Sequence, residues 1–208
     1  MVKLKPKKSF TLIETVVVIA IIGLIIPAVF SIIFSLFLEQ TKIYRLTQVK
    51  REGDYALGII ETIARNNGVS IYSGCSNLST PTNIQCASNA GSFPVQFPIP
   101  PTTSDGSDFC FQDKYSAGFQ FYFNGSSNSI ASNSSVLSSP VNLTSNKVVI
   151  SNFKVSCLRT VAFSPPVITV AYDICYNTGS GAAVPCNSSR PEETASLHYQ
   201  SNIQLRSY

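Results

Sequence analysis

Lys7-Lys8-Ser9-Phe10-Thr11-Leu12-Ile13-Glu14 runs directly into residues 15–38, a stretch of 24 residues without a single charge. A bilayer is crossed by about 20 apolar residues in a helix, so this stretch predicts a membrane-spanning helix near the amino terminus. Glu14 stands at its mouth. An ionisable side chain at the edge of lipid is costly unless it finds a partner. Here it would be desolvated among Phe10, Leu12, Ile13 and Val16. A free α-amine from an adjacent chain would offset that cost. The plainer alternative is that Glu14 only marks the headgroup boundary of an ordinary anchor.

Working outward, the helix is expected to run from Thr11 to Arg65, roughly 80 Å at 1.5 Å per residue. Gly23 and Pro27 weaken its first half, and Pro27 predicts a kink or a locally melted turn. Beyond Glu39 the character changes. Ile43, Leu46, Val49, Gly53, Leu57, Ile60 and Ala64 recur at three- and four-residue spacing, one apolar stripe of a helix packed on a domain. Asn66-Asn67-Gly68 supplies a stop, with Gly68 able to take the left-handed conformation.

Charge is concentrated in the same leading segment. The chain has 208 residues, with Lys+Arg 15 and Asp+Glu 11. Four of the cations, Lys3, Lys5, Lys7 and Lys8, precede Phe10, and residues 10–208 balance at 11 against 11. The basic character is thus no argument for nucleic-acid binding. Six cysteines in a Ser/Asn-rich domain imply disulfides and an oxidising compartment, which places the amino terminus in the cytoplasm and the rest outside. Cations flank both ends of the apolar stretch, so the positive-inside rule does not decide the orientation by count.

A short basic leader, Phe10, Glu14 and a long apolar helix together resemble the type IV prepilins, with their class III signal peptide. The resemblance covers residues 7–38 and, more loosely, the layout of the chain. It implies cleavage between Ser9 and Phe10 by a prepilin peptidase and N-methylation of Phe10. It also implies pairing of Glu14 with the terminal amine of a neighbouring subunit, which sets subunit register. Two departures stand out. Ser9 occupies the position usually held by Gly, a small residue that still fits a tight cleavage site. Pro27 lies closer to the helix start than the usual family proline. The partners implied are other pilin or pseudopilin subunits, the assembly platform, and the lipid bilayer before assembly. The location implied is the cytoplasmic membrane and then an extracytoplasmic filament, periplasmic or at the cell surface.

The rest of the chain reads as a loop region followed by strands. The expected organisation is a leader (1–9), a transmembrane and filament-core helix (10–39), an amphipathic half-helix (40–67), a Pro/Ser/Cys-rich loop region (68–117) and an antiparallel sheet domain (118–208). The fold class is α+β, and the order of elements resembles the pilin fold. Phe93-Pro94-Val95-Gln96-Phe97-Pro98-Ile99-Pro100-Pro101 is too rich in proline for a helix or a central strand. Strands are expected over 118–123, ending at the turn pair Asn124-Gly125, then as a pair or a bulged strand over 147–158, and over 167–176 and 195–207. Residues 124–140 read as loop. The strand aromatics Phe119, Phe121, Phe123, Tyr172, Tyr176 and Tyr199 are expected to pack the core.

Six cysteines allow 15 pairings. The two spacings of eleven residues favour Cys75–Cys86 and Cys175–Cys186, leaving Cys110–Cys157. A metal site is disfavoured for want of a CxxC spacing or nearby histidines. Asp105 and Asp108, with Asp113 nearby, are weak calcium candidates without the spacing of an EF-hand, and they are equally turn residues. The single histidine, His198, is expected to face solvent or a cross-strand neighbour. Every Ser/His/Asp or Cys/His scheme must use that one residue, so no catalytic residues and no cofactor are expected. Five Asn-X-Ser/Thr sequences, at Asn77, Asn124, Asn133, Asn142 and Asn187, are candidate glycosylation sites on an exposed surface. The expected function is that of a structural subunit, a minor pilin or pseudopilin of a pilus, secretion or competence-type filament. Two other readings are weighed. A tip adhesin or DNA-uptake pilin would bind through residues 69–117, although Lys114 is the only cation there, which disfavours nucleic acid. A membrane-anchored extracytoplasmic enzyme lacks the residues.

Overall fold

A computed structural model describes residues 11–75, 77–86, 95–98, 109–137, 139–161, 164–177 and 195–205. The chain divides into two compact units, Met1–Ile43 and Tyr44–Tyr208, each taken by itself. One helix, α1 (Leu12–Asn67), contributes to both. In the first unit every described side chain is exposed, including the uncharged run 15–38. Helical structure passes through Gly23 and Pro27 without interruption, so of the kink or local melting expected at Pro27 the melting is not seen. The proline ring removes only the donor that would bond the Gly23 carbonyl, and the turns on either side keep their own bonds.

In the second unit α1 buries Gln48, Val49, Gly53, Ala56, Ile60 and Ala64. The expected stripe is corrected at two points. Ile43 and Leu46 remain exposed, while Ala56 and the polar Gln48 are buried. Gly68 ends the helix differently from expectation. Its N–H still donates to the Ala64 carbonyl at 2.9 Å. Its φ is not positive, and a Cβ there would lie 2.6 Å from the Ala64 carbonyl oxygen. Close packing, rather than a left-handed cap, is what requires glycine.

The α+β class holds. Two antiparallel sheets follow the helix. The first contains β1 (Ser70–Gly74), β2 (Thr82–Gln85), β4 (Cys110–Gln112), β5 (Gly118–Asn124), β6 (Ser129–Ser134) and β7 (Val141–Asn142). The second contains β3 (Val95–Pro98), β8 (Val148–Arg159), β9 (Val167–Tyr176) and β10 (Ser196–Gln204). Their orders are β2-β1-β4-β5-β6-β7 and β10-β9-β8-β3. The region read as loop, 68–117, therefore holds four short strands, and the supposed loop 124–140 contains β6. β3 lies within the proline-rich run, but at a sheet edge, where a missing N–H is tolerated. The bulged strand is borne out. β8 breaks register against β9 between Ser151 and Lys154, and Asn152 there has φ 52°.

The core lies among α1 and the two sheets and includes Ile60, Ile71, Phe111, Phe121, Ile130, Ile150, Ile168 and Ile203. The strand aromatics pack in or against it, as expected. Hydroxyls from the second sheet fasten it to the helix. Tyr172 donates to the Gly53 carbonyl at 2.9 Å. The Tyr199 hydroxyl lies 3.0 Å from the Lys50 carbonyl and 2.9 Å from Asp54 Oδ1. Ser201 Oγ donates to Glu61. A Cβ on Gly53 would stand 2.4 Å from the Tyr199 ring, so the glycine admits that ring.

The disulfides differ from the expected pairing. Cys75 joins Cys110 and Cys86 joins Cys157, with Cα–Cα distances of 5.8 and 6.4 Å. The β1–β2 hairpin explains why Cys75–Cys86 fails. Gly74 pairs with Thr82 and Ile71 with Gln85, so the two cysteines sit at opposite ends of the hairpin. By the same register they are about 16 Å apart along the strands, far beyond the roughly 7 Å a disulfide bridges. Cys86–Cys157 instead ties the first sheet to the second. Cys175 is also disulfide-bonded, and its expected pairing with Cys186 falls outside the described residues.

Candidate functional site

The first candidate is the start of α1. Thr11 caps the helix, and Thr11-Leu12-Ile13-Glu14 has the spacing of a capping box. The Thr11 backbone N–H donates to Glu14 Oε2 at 2.9 Å, and the Thr11 hydroxyl donates to the same oxygen at 3.0 Å. Glu14 N–H returns a bond to the Thr11 carbonyl at 3.1 Å. Among the described residues no donor reaches Oε1. Thr11 thus satisfies Oε2, and Oε1 meets no donor among the described residues. Sequence reasoning treated Glu14 only as a charge at a membrane mouth and missed Thr11, although the Thr-x-x-Glu spacing was visible. Ser9 and Phe10, the expected cleavage pair, lie outside the described residues.

Beyond Glu14 the helix is long and apolar enough to cross a membrane. Leu12, Ile13, Leu24, Phe30, Phe34 and Phe37 each expose more than three-fifths of their surface. An apolar surface of that extent is costly in water, about 25 cal/mol per Å², and is compatible with a membrane anchor.

The second unit carries two polar clusters. On β9 and β10, paired residues Asp173 and His198 place Oδ1 and Nδ1 2.7 Å apart. Asn152, at the β8 bulge, donates to Asp173 Oδ2 at 2.6 Å. The Asn152 bond, followed by that of His198, holds the Asp173 carboxyl below its ordinary range. His198 is therefore a cross-strand residue, as expected. It meets a carboxylate, and no nucleophile is among its described partners.

The other cluster lines a groove of about 370 Å³ formed by Arg51, Glu52, Tyr55, Asn142, Leu143, Thr144 and Ser145. Its polar groups are largely occupied by one another. Glu52 accepts from Gln48 at 3.0 Å and from the Ser145 N–H at 3.0 Å, and Arg51 donates to Gln48 Oε1 at 3.0 Å.

The remaining candidates are placed as follows. Asp105 and Asp108 lie outside the described residues. Asp113 Oδ1 accepts from the Tyr115 and Ala117 N–H groups, both at 2.8 Å, a turn-forming role. Asn77 and Asn124 each form an Asx turn, accepting from the N–H two residues on at 3.0 and 3.1 Å. Asn133 accepts from Ser134 N–H, Asn142 lines the groove, and Asn187 lies outside the described residues. Comparison with family models, with curated proteins and with solved structures returns no match for this chain.

Proposed function

We propose that this chain is a minor pilin or pseudopilin, a non-catalytic structural subunit of a type IV pilus, type II secretion or competence-type filament. A prepilin peptidase cuts between Ser9 and Phe10, and the new amine at Phe10 is methylated. The subunit waits in the cytoplasmic membrane with its amino terminus inside. Other subunits and the assembly platform then draw its apolar helix into the filament core.

The single observation that carries this reading is the half-satisfied Glu14 carboxylate at the head of an uncharged membrane-length helix. Thr11 occupies Oε2, and the open Oε1 suits a cationic donor from another chain. In a low-dielectric surrounding such a charge-assisted bond is stronger than in water, which makes it suited to setting register. Nothing comparable in 44–208 supplies a nucleophile, base and oxyanion donor together among the described residues.

The test is Glu14→Ala in the full chain. Expression and membrane insertion should be unchanged, while incorporation into filaments falls at least tenfold. Normal incorporation of that variant would sink the register role.

A further inference from the structure

The two mapped disulfides interleave. Cys75 joins Cys110 and Cys86 joins Cys157, so each bond skips a cysteine belonging to the other. We infer that this chain is a client of a thiol–disulfide isomerase, and that its first non-native oxidation product is the Cys75–Cys86 bond.

Loop closure in the unfolded chain favours the wrong pair. Cys75 and Cys86 are 11 residues apart, against separations of 35 and 71 for the native pairs. Closure probability falls with the three-halves power of loop length. The local pair is thus favoured about 6-fold over Cys75–Cys110 and about 16-fold over Cys86–Cys157. On the membrane orientation proposed above, on which this point rests, Cys75 and Cys86 leave the membrane before Cys110 or Cys157.

The native fold cannot absorb that product. In the β1–β2 register Gly74 faces Thr82 and Ile71 faces Gln85, which holds Cys75 and Cys86 at opposite ends of the hairpin. A bond between them blocks the hairpin, and with it the pairing of β1 to β4 through Tyr72 and Cys110. Nor can the finished fold correct its own pairing. Cys75, Cys86, Cys110 and Cys157 retain 4%, 1%, 0% and 1% of their surface in contact with solvent. Exchange therefore has to occur before the sheets close, from a catalyst that reaches the open chain.

The chemistry balances as follows. A catalyst thiolate attacks Cys86 Sγ of the Cys75–Cys86 bond. A mixed disulfide forms, and Cys75 leaves as a thiolate that takes a proton from water. The Cys157 thiolate then attacks Cys86 Sγ, forming Cys86–Cys157 and returning the catalyst thiolate. This exchange is redox-neutral. The Cys75 and Cys110 thiols are joined afterwards by a disulfide-donor oxidase, whose disulfide takes up their two electrons and two protons.

The test oxidises the reduced, unfolded full chain in detergent micelles with a disulfide-donor oxidase, alone or with a reduced thiol–disulfide isomerase. Samples are blocked at intervals, digested without reduction and mapped by mass spectrometry. With the oxidase alone, the Cys75–Cys86 peptide should dominate over Cys75–Cys110 and Cys86–Cys157 in the early samples. The isomerase should speed appearance of Cys75–Cys110 and Cys86–Cys157 at least tenfold. Equal rates in the two arms, or early samples without Cys75–Cys86, overturn the inference. The double variant Cys75→Ser with Cys110→Ser removes the local trap, and formation of its Cys86–Cys157 bond should lose the isomerase dependence. If that variant folds poorly, the wild-type time course still decides.

Discussion

Within the single helix α1, residues 12–43 and residues 44–67 obey opposite rules. Residues 15–38 of the first part carry no charge, and its described side chains are exposed, whereas the second part buries one stripe and keeps charged residues off it. The second part therefore has its partners in the same molecule: Tyr172, Tyr199 and Ser201 reach it with hydroxyls, and Val49, Ala56, Ile60 and Ala64 fill the core. The first part carries hydrogen bonds local to the helix, among them Thr11 to Glu14, Thr15 to the Leu12 carbonyl and Thr41 to the Phe37 carbonyl. The contrast teaches where to look for function. Packing within the domain accounts for the second part, whereas the first part exposes a long run of large apolar side chains.

The contrast can be broken from either side. The largest stability effect is expected at the tie between the sheets. Cys86→Ser should destabilise the domain of residues 44–208 by about 3–5 kcal/mol in denaturant unfolding while membrane insertion of the full chain stays intact. A smaller loss follows from Gly53→Ala, whose methyl group displaces the Tyr199 ring. About 1–3 kcal/mol is expected, read as a lowered unfolding midpoint with unchanged slope.

Tyr172 and Tyr199 sharpen the same contact through pH. Burial pushes both phenols well above their ordinary range, with neighbouring carboxylates adding to it. A raised folded-state value means the neutral form stabilises the fold. That stability is complete below about pH 10 and is lost as pH rises through the folded-state values. Tyr199→Phe should cost about 1 kcal/mol at neutral pH and flatten the alkaline decline seen in thermal unfolding. Smallest of all is Glu14→Ala, which should leave domain stability within about 0.5 kcal/mol while incorporation into filaments falls at least tenfold.

Legibility in the sequence tracked the same divide. Residues 15–38 declared themselves by length and lack of charge, and β9 and β10 by period-two alternation, because each signal repeats over many residues. β1, β2 and β4 were not legible. They are three to five residues long and exist because a neighbouring strand supplies their bonds. β6, Ser129-Ile130-Ala131-Ser132-Asn133-Ser134, reads as loop by composition and is a strand because β5 and β7 flank it. Disulfide pairing was opaque because spacing along the chain carries no register. Gly68 was assigned the wrong reason for being glycine, since nothing local reveals that Leu205 and Phe111 crowd it. At the candidate site Glu14 was legible and its Thr11 cap was overlooked. The open Oε1 needed coordinates.

The central claim concerns Phe10 and Glu14, and intact-mass and amino-terminal peptide mass spectrometry of the membrane-derived protein tests it most directly. The account predicts a chain that begins at Phe10 with a methylated amine. A chain that keeps residues 1–9 would contradict it, because no new amine would then exist for a neighbour's Glu14.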